Sequence, residues 1–344
     1  MADRKIYFAT DIHGSEVCLR KFLNAAKFYD CDTIIMGGDI TGKMIVPIVD
    51  RGEGAHTATL YGRNLHVTGD GLAKLRKTIA DAGYYAYETT PEEMDRFRAD
   101  PDAVTELFGK LMHETLGRWL ELAEERLAGT GIRCFFAPGN DDPAFVDDIL
   151  RTSAVAVNPE NTVVDLGDGF TMISVGYSNQ TPWDSPRELP EGELAAYIAR
   201  QAEALGNTDR VIFNFHVPPH DTPIDQAALL DAEFRPIMKG GMPVISGVGS
   251  TAVRDALAKY QPMLSLHGHI HESRGEARIG RTLAINPGSE YSEGVLRGAI
   301  ITLSRKKGVR GYQLVAGCPA PARTYRRGHR IGPALAAGSA LRAR

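Results

Sequence analysis

The sequence predicts an α/β protein with two mixed β-sheets and helices on their outer faces. Three observations lead there. Apolar runs of strand length alternate with stretches of helical period. Five of those runs stop at a residue able to bind a metal, as when parallel strands aim polar groups from their carboxyl ends into one crevice. Later runs pair through a tight Gly167-Asp168-Gly169 turn, which adds antiparallel strands. At 344 residues, 43% hydrophobic and 24% charged, the chain can bury a sizeable core in one large domain.

Lys5 to Ala9 reads as a buried strand ending at Thr10-Asp11-Ile12-His13-Gly14. Ser15 then caps a helix to about Tyr29, with Leu19, Phe22, Leu23 and Ala26 on one face. Thr33 to Met36 is a second strand, ending at Gly37-Gly38-Asp39. Between Thr41 and about Pro101 the alternation breaks, and this block is expected to be an insertion covering the site. It holds a hairpin from His56 to Val67 around Gly62-Arg63-Asn64, a helix from Leu72 to Ala82, and a helix start at Thr90-Pro91. A long amphipathic helix follows from about Ala103 to Ala128, closed by Gly129.

Arg133 to Ala137 is the third strand, ending at Gly139-Asn140-Asp141-Asp142, and Arg210 to Phe215 is the fourth, ending at His216. Thr162 to Asp165 and Phe170 to Val175 form the antiparallel pair. Helices are expected from about Glu191 to Leu205 and from Ser250 to Tyr260. Thr282 to Ile285, Ala299 to Leu303 and Tyr312 to Val315 complete the strands. The main domain is thus expected over 1–316, with 317–344 as a basic, disordered tail.

The fifth strand, Met263 to Leu266, runs into His267-Gly268-His269-Ile270-His271. Three imidazoles within five residues are costly to bring together without a charge to gather around, and neutral imidazole is a common metal ligand. His13 alone would suit a helix start, Asp39 a turn and Asn140 a cap. Their joint placement at strand ends carries the metal reading.

Asp11-x-His13, Gly38-Asp39, Gly139-Asn140, His216 and Gly268-His269-x-His271 resemble the calcineurin-like metallophosphoesterase superfamily in motif order and strand-end placement. The resemblance implies a four-layer αββα sandwich and a dinuclear metal centre. It implies that Asp11, His13 and His271 hold one ion, Asn140, His216 and His269 the other, and that Asp39 bridges them. His267 falls outside the motif. A set of carboxylates, imidazoles and one amide oxygen suits Mn²⁺, with Fe or Zn²⁺ as alternatives, and its lack of thiolate argues against a structural zinc. Two such ions about 3.5–4 Å apart can share a hydroxide for in-line attack on phosphorus. The glycines beside Asp39, Asn140 and His269 are expected to let backbone and metal approach.

One position departs from the pattern. Most members of the superfamily carry a histidine after Gly-Asn, thought to protonate the leaving oxygen, whereas this chain has Asp141. An aspartate near two dications stays ionised and donates no proton, so substrates with low-pKa leaving groups are favoured. Asp39, Asn140, Asp141 and His220 are therefore the candidate catalytic residues, with His220 or His267 as stand-in acids. Trp183, in the proline-rich loop 179–190, either stacks on a base at the rim or packs inward. Asn286-Pro287-Gly288-Ser289 resembles a turn of bacterial and archaeal members.

The leading expectation is a phosphodiesterase or broad phosphohydrolase acting on a phosphoester, nucleotides included. The contrasting one is a catalytically weak metal-binding scaffold or regulatory protein of the same fold. Ten Lys or Arg and no acid lie between Arg305 and Arg344. Removing that +10 from the net −4 leaves −14 on the first 304 residues. The acidic body argues against a long nucleic acid, while the tail could touch nucleic acid or another polyanion. Four scattered cysteines, no membrane span and no signal-peptide pattern point to the cytoplasm.

Overall fold

The alternation Ile6-Tyr7-Phe8-Ala9 divides one strand between two cores. Tyr7 and Ala9 pack with Leu19, Phe22, Trp119 and Leu120 of the neighbouring helices. Ile6 and Phe8 pack with Met172, Ile212, Leu266 and Ile285 of a second sheet. That second sheet repeats the device: Phe213 and Phe215 turn outward to Leu194, Ile198, Val253 and Leu257. Helix, sheet, sheet, helix is the resulting order, so the computed structural model, described here for residues 3–231 and 233–317, is the αββα sandwich the motifs implied.

Each sheet has six strands. The first runs Gly308–Ala316, Arg297–Ser304, Arg4–Ala9, Thr33–Met36, Arg133–Phe136, Ala156–Val157. The second runs Gly275–Ile279, Thr282–Asn286, Leu264–Leu266, Val211–Phe215, Phe170–Val175, Val164–Gly167. In the first sheet the four strands from Arg4–Ala9 to the edge strand Ala156–Val157 are parallel, and the antiparallel pairings lie on the other side, at Arg297–Ser304. In the second sheet the four central strands are parallel and both outer ones antiparallel, so the five site-bearing strand ends lie on one side of the molecule.

The helices Glu16–Tyr29, Gly71–Asp81, Pro91–Ala99, Pro101–Leu127 and Thr251–Tyr260 lie within two residues of expectation. The helix expected to reach Leu205 stops at Ala202 and tightens to a 3₁₀ turn over Glu203–Leu205. The inserted block differs more. Its hairpin turns at Tyr61-Gly62, both at positive φ, because Leu60 pairs with Arg63. Two unexpected strands, Ile45–Asp50 and Tyr85–Thr89, extend that hairpin to a four-stranded sheet. The strand expected at Thr162 starts at Val164, and Gly275–Ile279 adds an edge strand that was not foreseen. The tail beyond Gly317 lies outside the described residues.

Beside Ser174 of the strand Phe170–Val175, buried Glu160 accepts hydrogen bonds from the Gly176 amide at 2.9 Å and the Tyr197 hydroxyl at 2.8 Å. Burial pushes its carboxyl up to about 7, against the Tyr197 hydrogen bond and the Arg187 charge. A carboxyl raised on folding favours the native state while neutral, and that contribution fades as pH rises through the folded value. Glu160→Gln is therefore expected to gain on the parent, by on the order of 2 kcal/mol between about pH 5 and pH 8 in urea unfolding. Parallel pH dependences for the two proteins would contradict this.

Candidate metal centre

Every expected ligand stands just beyond a parallel strand. Asp11 and His13 follow Arg4–Ala9, Asp39 follows Thr33–Met36, and Asn140 follows Arg133–Phe136. His216 follows Val211–Phe215, and His269 and His271 follow Leu264–Leu266. The rigid sheets aim their side chains at one point between the layers. Asp11, His13 and His271 converge as one group, and Asp39, His216 and His269 as another. Asn140 Oδ1 joins the second group 2.7 Å from His269 Nδ1. His13 Nε2 and His271 Nε2 face each other at 3.1 Å. Asp39 Oδ2 lies 3.5 Å from His13 Nε2 and 3.4 Å from His216 Nε2, between the two groups.

These residues fit a pair of cations. His216 Nε2 is buried with no well-formed hydrogen bond, while its Nδ1 lies 3.2 Å from the Gly37 carbonyl. A proton on Nδ1 leaves the Nε2 lone pair aimed into the cluster, the usual arrangement of a ligating imidazole. Asp11, His13, Asp39 and His269 all hold positive φ, from 39° to 65°, a conformation that costs non-glycine residues roughly 1–2 kcal/mol each. Four of the seven candidate ligands carry that cost. The glycines serve this geometry differently from expectation: a Cβ on Gly38 would sit 2.2 Å from His216 Nδ1, and one on Gly268 2.3 Å from Asp11 Oδ2. They make room for neighbouring ligand side chains.

The charges agree with that reading. Burial raises Asp11, but the His271 hydrogen bond and the charges of His216, His271 and His13 hold its carboxyl below the ordinary range. Asp39 is pushed up to about 6, first by burial, with His216 opposing. Burial lowers His216, yet Asp39 and Asp11 outweigh it and raise the imidazole to about 10. The carboxylates thus draw positive charge into the cluster. Burial keeps His269 neutral, lowered to about 3.

Asp141 lies beside the cluster, its Oδ2 3.9 Å from His13 Nδ1. Neither stand-in acid joins it. His267 is fully buried, its Nδ1 2.8 Å from the Phe215 carbonyl, and burial lowers it to about 4. His220 Nδ1 instead faces Asp225 Oδ2 at 3.6 Å, and among the described residues the imidazole has no hydrogen bond or ion pair to the cluster. Trp183 does not pack inward: it is 54% exposed and stacks on Phe234 with ring centres 4.6 Å apart. Asn286 Nδ2 donates to the Ile270 carbonyl at 2.9 Å and Ser289 Oγ to the Asp11 carbonyl at 2.7 Å, so the 286–289 turn braces the ligand loops.

Three residues escaped the sequence reading. Lys43 and Ser185 both contact Asp141. Asp142, fully buried, accepts from the amides of Ile40, Thr41 and Gly139 and from the Thr41 hydroxyl at 2.7–3.1 Å. The repeated acid in Asn140-Asp141-Asp142 was the only signal available for that clamp.

A sequence model described as calcineurin-like phosphoesterase matches residues 4–273. An uncharacterized protein of Methanocaldococcus jannaschii is 27% identical over 152 residues, 44% of this chain and 61% of that protein. The match therefore spans less than two thirds of that relative's length. A crystal structure of a Thermus thermophilus protein is similar with a TM-score of 0.51 at 13% identity, covering 91% of this chain and 98% of that one. Another crystal structure reaches 0.54 at 16% identity, covering 92% and 100%. At such identities the likeness is one of fold.

Proposed function

The chain belongs to the calcineurin-like phosphoesterase family, metal-dependent hydrolases of phosphoric esters, and we propose that this member is a phosphodiesterase or broad phosphohydrolase with a dinuclear centre. Asp11, His13 and His271 would hold one ion, Asn140, His216 and His269 the other, and Asp39 both. The observation that supports this most is Asp39 Oδ2, nearly equidistant from the inward nitrogens of His13 and His216 at 3.5 and 3.4 Å. The oxygen and nitrogen donor set suits Mn²⁺, with Fe or Zn²⁺ as alternatives. When bound, such ions polarise phosphoryl oxygens and lower the pKa of an attacking water.

The protein's own groups do the rest. Gly37 fixes the His216 tautomer through its carbonyl. Asp11 accepts the His269 amide at 3.1 Å and the Thr10 hydroxyl at 2.7 Å, so its carboxylate cannot swing away. Asp141 is raised by burial but lowered further by Lys43 and His13, so it stays ionised and delivers no proton to the leaving oxygen. Phosphodiesters and phosphoanhydrides with acidic leaving groups, nucleotides among them, are the substrates this chemistry favours. The domain is proposed to run over 1–316, its 41–101 block covering the site. No helix among the described residues is long and apolar enough to cross a membrane. Buried, unpaired Cys18, Cys31 and Cys134 support a reducing cytoplasmic setting.

Metal-stripped protein reloaded with Mn²⁺ is expected to hydrolyse bis(p-nitrophenyl) phosphate in preference to p-nitrophenyl phosphate. Absence of turnover of both, with metal shown to be bound, would instead support the scaffold reading. Asp141→His is expected to raise activity on poor leaving groups relative to good ones, by up to about 10²-fold. An unchanged ratio would remove Asp141 from the explanation of leaving-group preference.

A further inference from the structure

Asp141 is tied on both oxygens. Oδ1 accepts from Ser185 Oγ at 2.6 Å and Asn140 Nδ2 at 3.1 Å, and Oδ2 pairs with Lys43 Nζ at 2.5 Å. The carboxylate is 18% exposed but the lysine side chain 43% exposed. The ammonium is therefore pinned against Asp141 at the end of a side chain that solvent reaches.

The backbone beneath Lys43 is equally fixed. Asp142 clamps the amides of Ile40 and Thr41, and the Gly42 amide donates to the Tyr85 hydroxyl at 2.9 Å. Neighbouring acids of the Asn140-Asp141-Asp142 run thus hold one loop: the second grips its main chain, the first its lysine. Such double fixing of an exposed cation is more than an isolated surface pair needs, since those contribute only about 0–1 kcal/mol.

We propose that Lys43 is a substrate-contacting cation of this site, its ammonium meeting a phosphoryl or leaving-group oxygen where most relatives place a histidine. The proposal rests on the phosphoesterase reading above. Lys43 acts as a fixed charge: burial lowers its pKa, but Asp141 and Asp39 outweigh that and keep it protonated. As the attacking water's oxygen bonds to phosphorus, the bond from phosphorus to the leaving oxygen breaks and its electron pair goes to that oxygen. The group departs as an anion hydrogen-bonded to the ammonium, and the attacking water gives its proton to solvent. Preorganised positive charge at a developing anion is the strongest help available where no acid is present. Asp141 also converges with His13 and Asp39 closely enough to suit a cation, and the Lys43 ammonium supplies that cation.

The test uses the full chain loaded with Mn²⁺ and three proteins: parent, Lys43→Met, and Lys43→Met with Asp141→Asn. Affinity for inorganic phosphate is measured by calorimetry, beside metal content and kcat/KM on bis(p-nitrophenyl) phosphate. Lys43→Met is expected to weaken phosphate binding about tenfold or more and to lower kcat/KM by about 10²-fold with metal content unchanged. The double variant, in which no buried carboxylate is left unpaired, is expected to keep both losses. Recovery of phosphate affinity in the double variant would show that the lysine only offsets Asp141, and would overturn the proposal. Parental affinity in Lys43→Met would also overturn it. A parent that binds phosphate but turns over no ester would refute the phosphoesterase reading instead, leaving the affinity comparison to judge Lys43.

Discussion

Asp39→Asn is expected to lower turnover of an activated diester by on the order of 10³-fold or more at saturating Mn²⁺, the equivalent of about 4 kcal/mol. The substitution preserves shape, so the reason is specific. Asp39 Oδ1 accepts the Asp141 amide at 2.9 Å, and an asparagine must keep its carbonyl oxygen there. Its NH₂ then takes the place of Oδ2, facing His13 and His216 from 3.5 and 3.4 Å. A donor replaces a lone pair at the point where both ions would be shared. Turnover within tenfold of the parent would remove Asp39 from the centre.

Asp142→Ala is expected to destabilise the protein by about 3–5 kcal/mol, the range for breaking a buried charged network. Asp142 is fully buried and receives four donors: the Ile40, Thr41 and Gly139 amides and the Thr41 hydroxyl. Alanine leaves all four without a partner, and each orphaned donor costs about 1–3 kcal/mol before relaxation. The loss also reaches function, because the same carboxylate links the loop bearing Asp39 to the turn bearing Asn140. Urea unfolding would register the stability change. A shift under about 1 kcal/mol would mean that the donors find other partners and that the clamp is dispensable.

Much of this was legible in the sequence for physical reasons. Strand ends were visible because a parallel strand buried on both faces reads as an unbroken apolar run, as in Thr33-Ile34-Ile35-Met36, and the polar residue after it stands out. The Ser15 cap was visible because the signal is local, its side chain accepting the Cys18 amide at 3.4 Å. Ile45–Asp50 was not, since Pro47 argues against a central strand although this one pairs on both sides. Edge strand Gly275–Ile279 carries Glu276 and Arg278 outward and leaves little apolar pattern.

The site divided along the same line. Its metal-binding residue types announce themselves, whereas Lys43, Asp142 and Ser185 are ordinary polar residues whose meaning lies in contacts across 44 to 102 positions. Such pairings need the fold before they can be seen. His220 shows the converse: nearness in sequence to His216 suggested the site, but the fold turns its imidazole to Asp225.

Whether two ions share Asp39 is read by electron paramagnetic resonance of the protein titrated with Mn²⁺. Saturation at two ions per chain with an exchange-coupled spectrum, replaced by isolated-ion signals in Asp39→Asn, is expected. Saturation at one ion per chain, or two ions whose signals stay uncoupled in the parent, would contradict it.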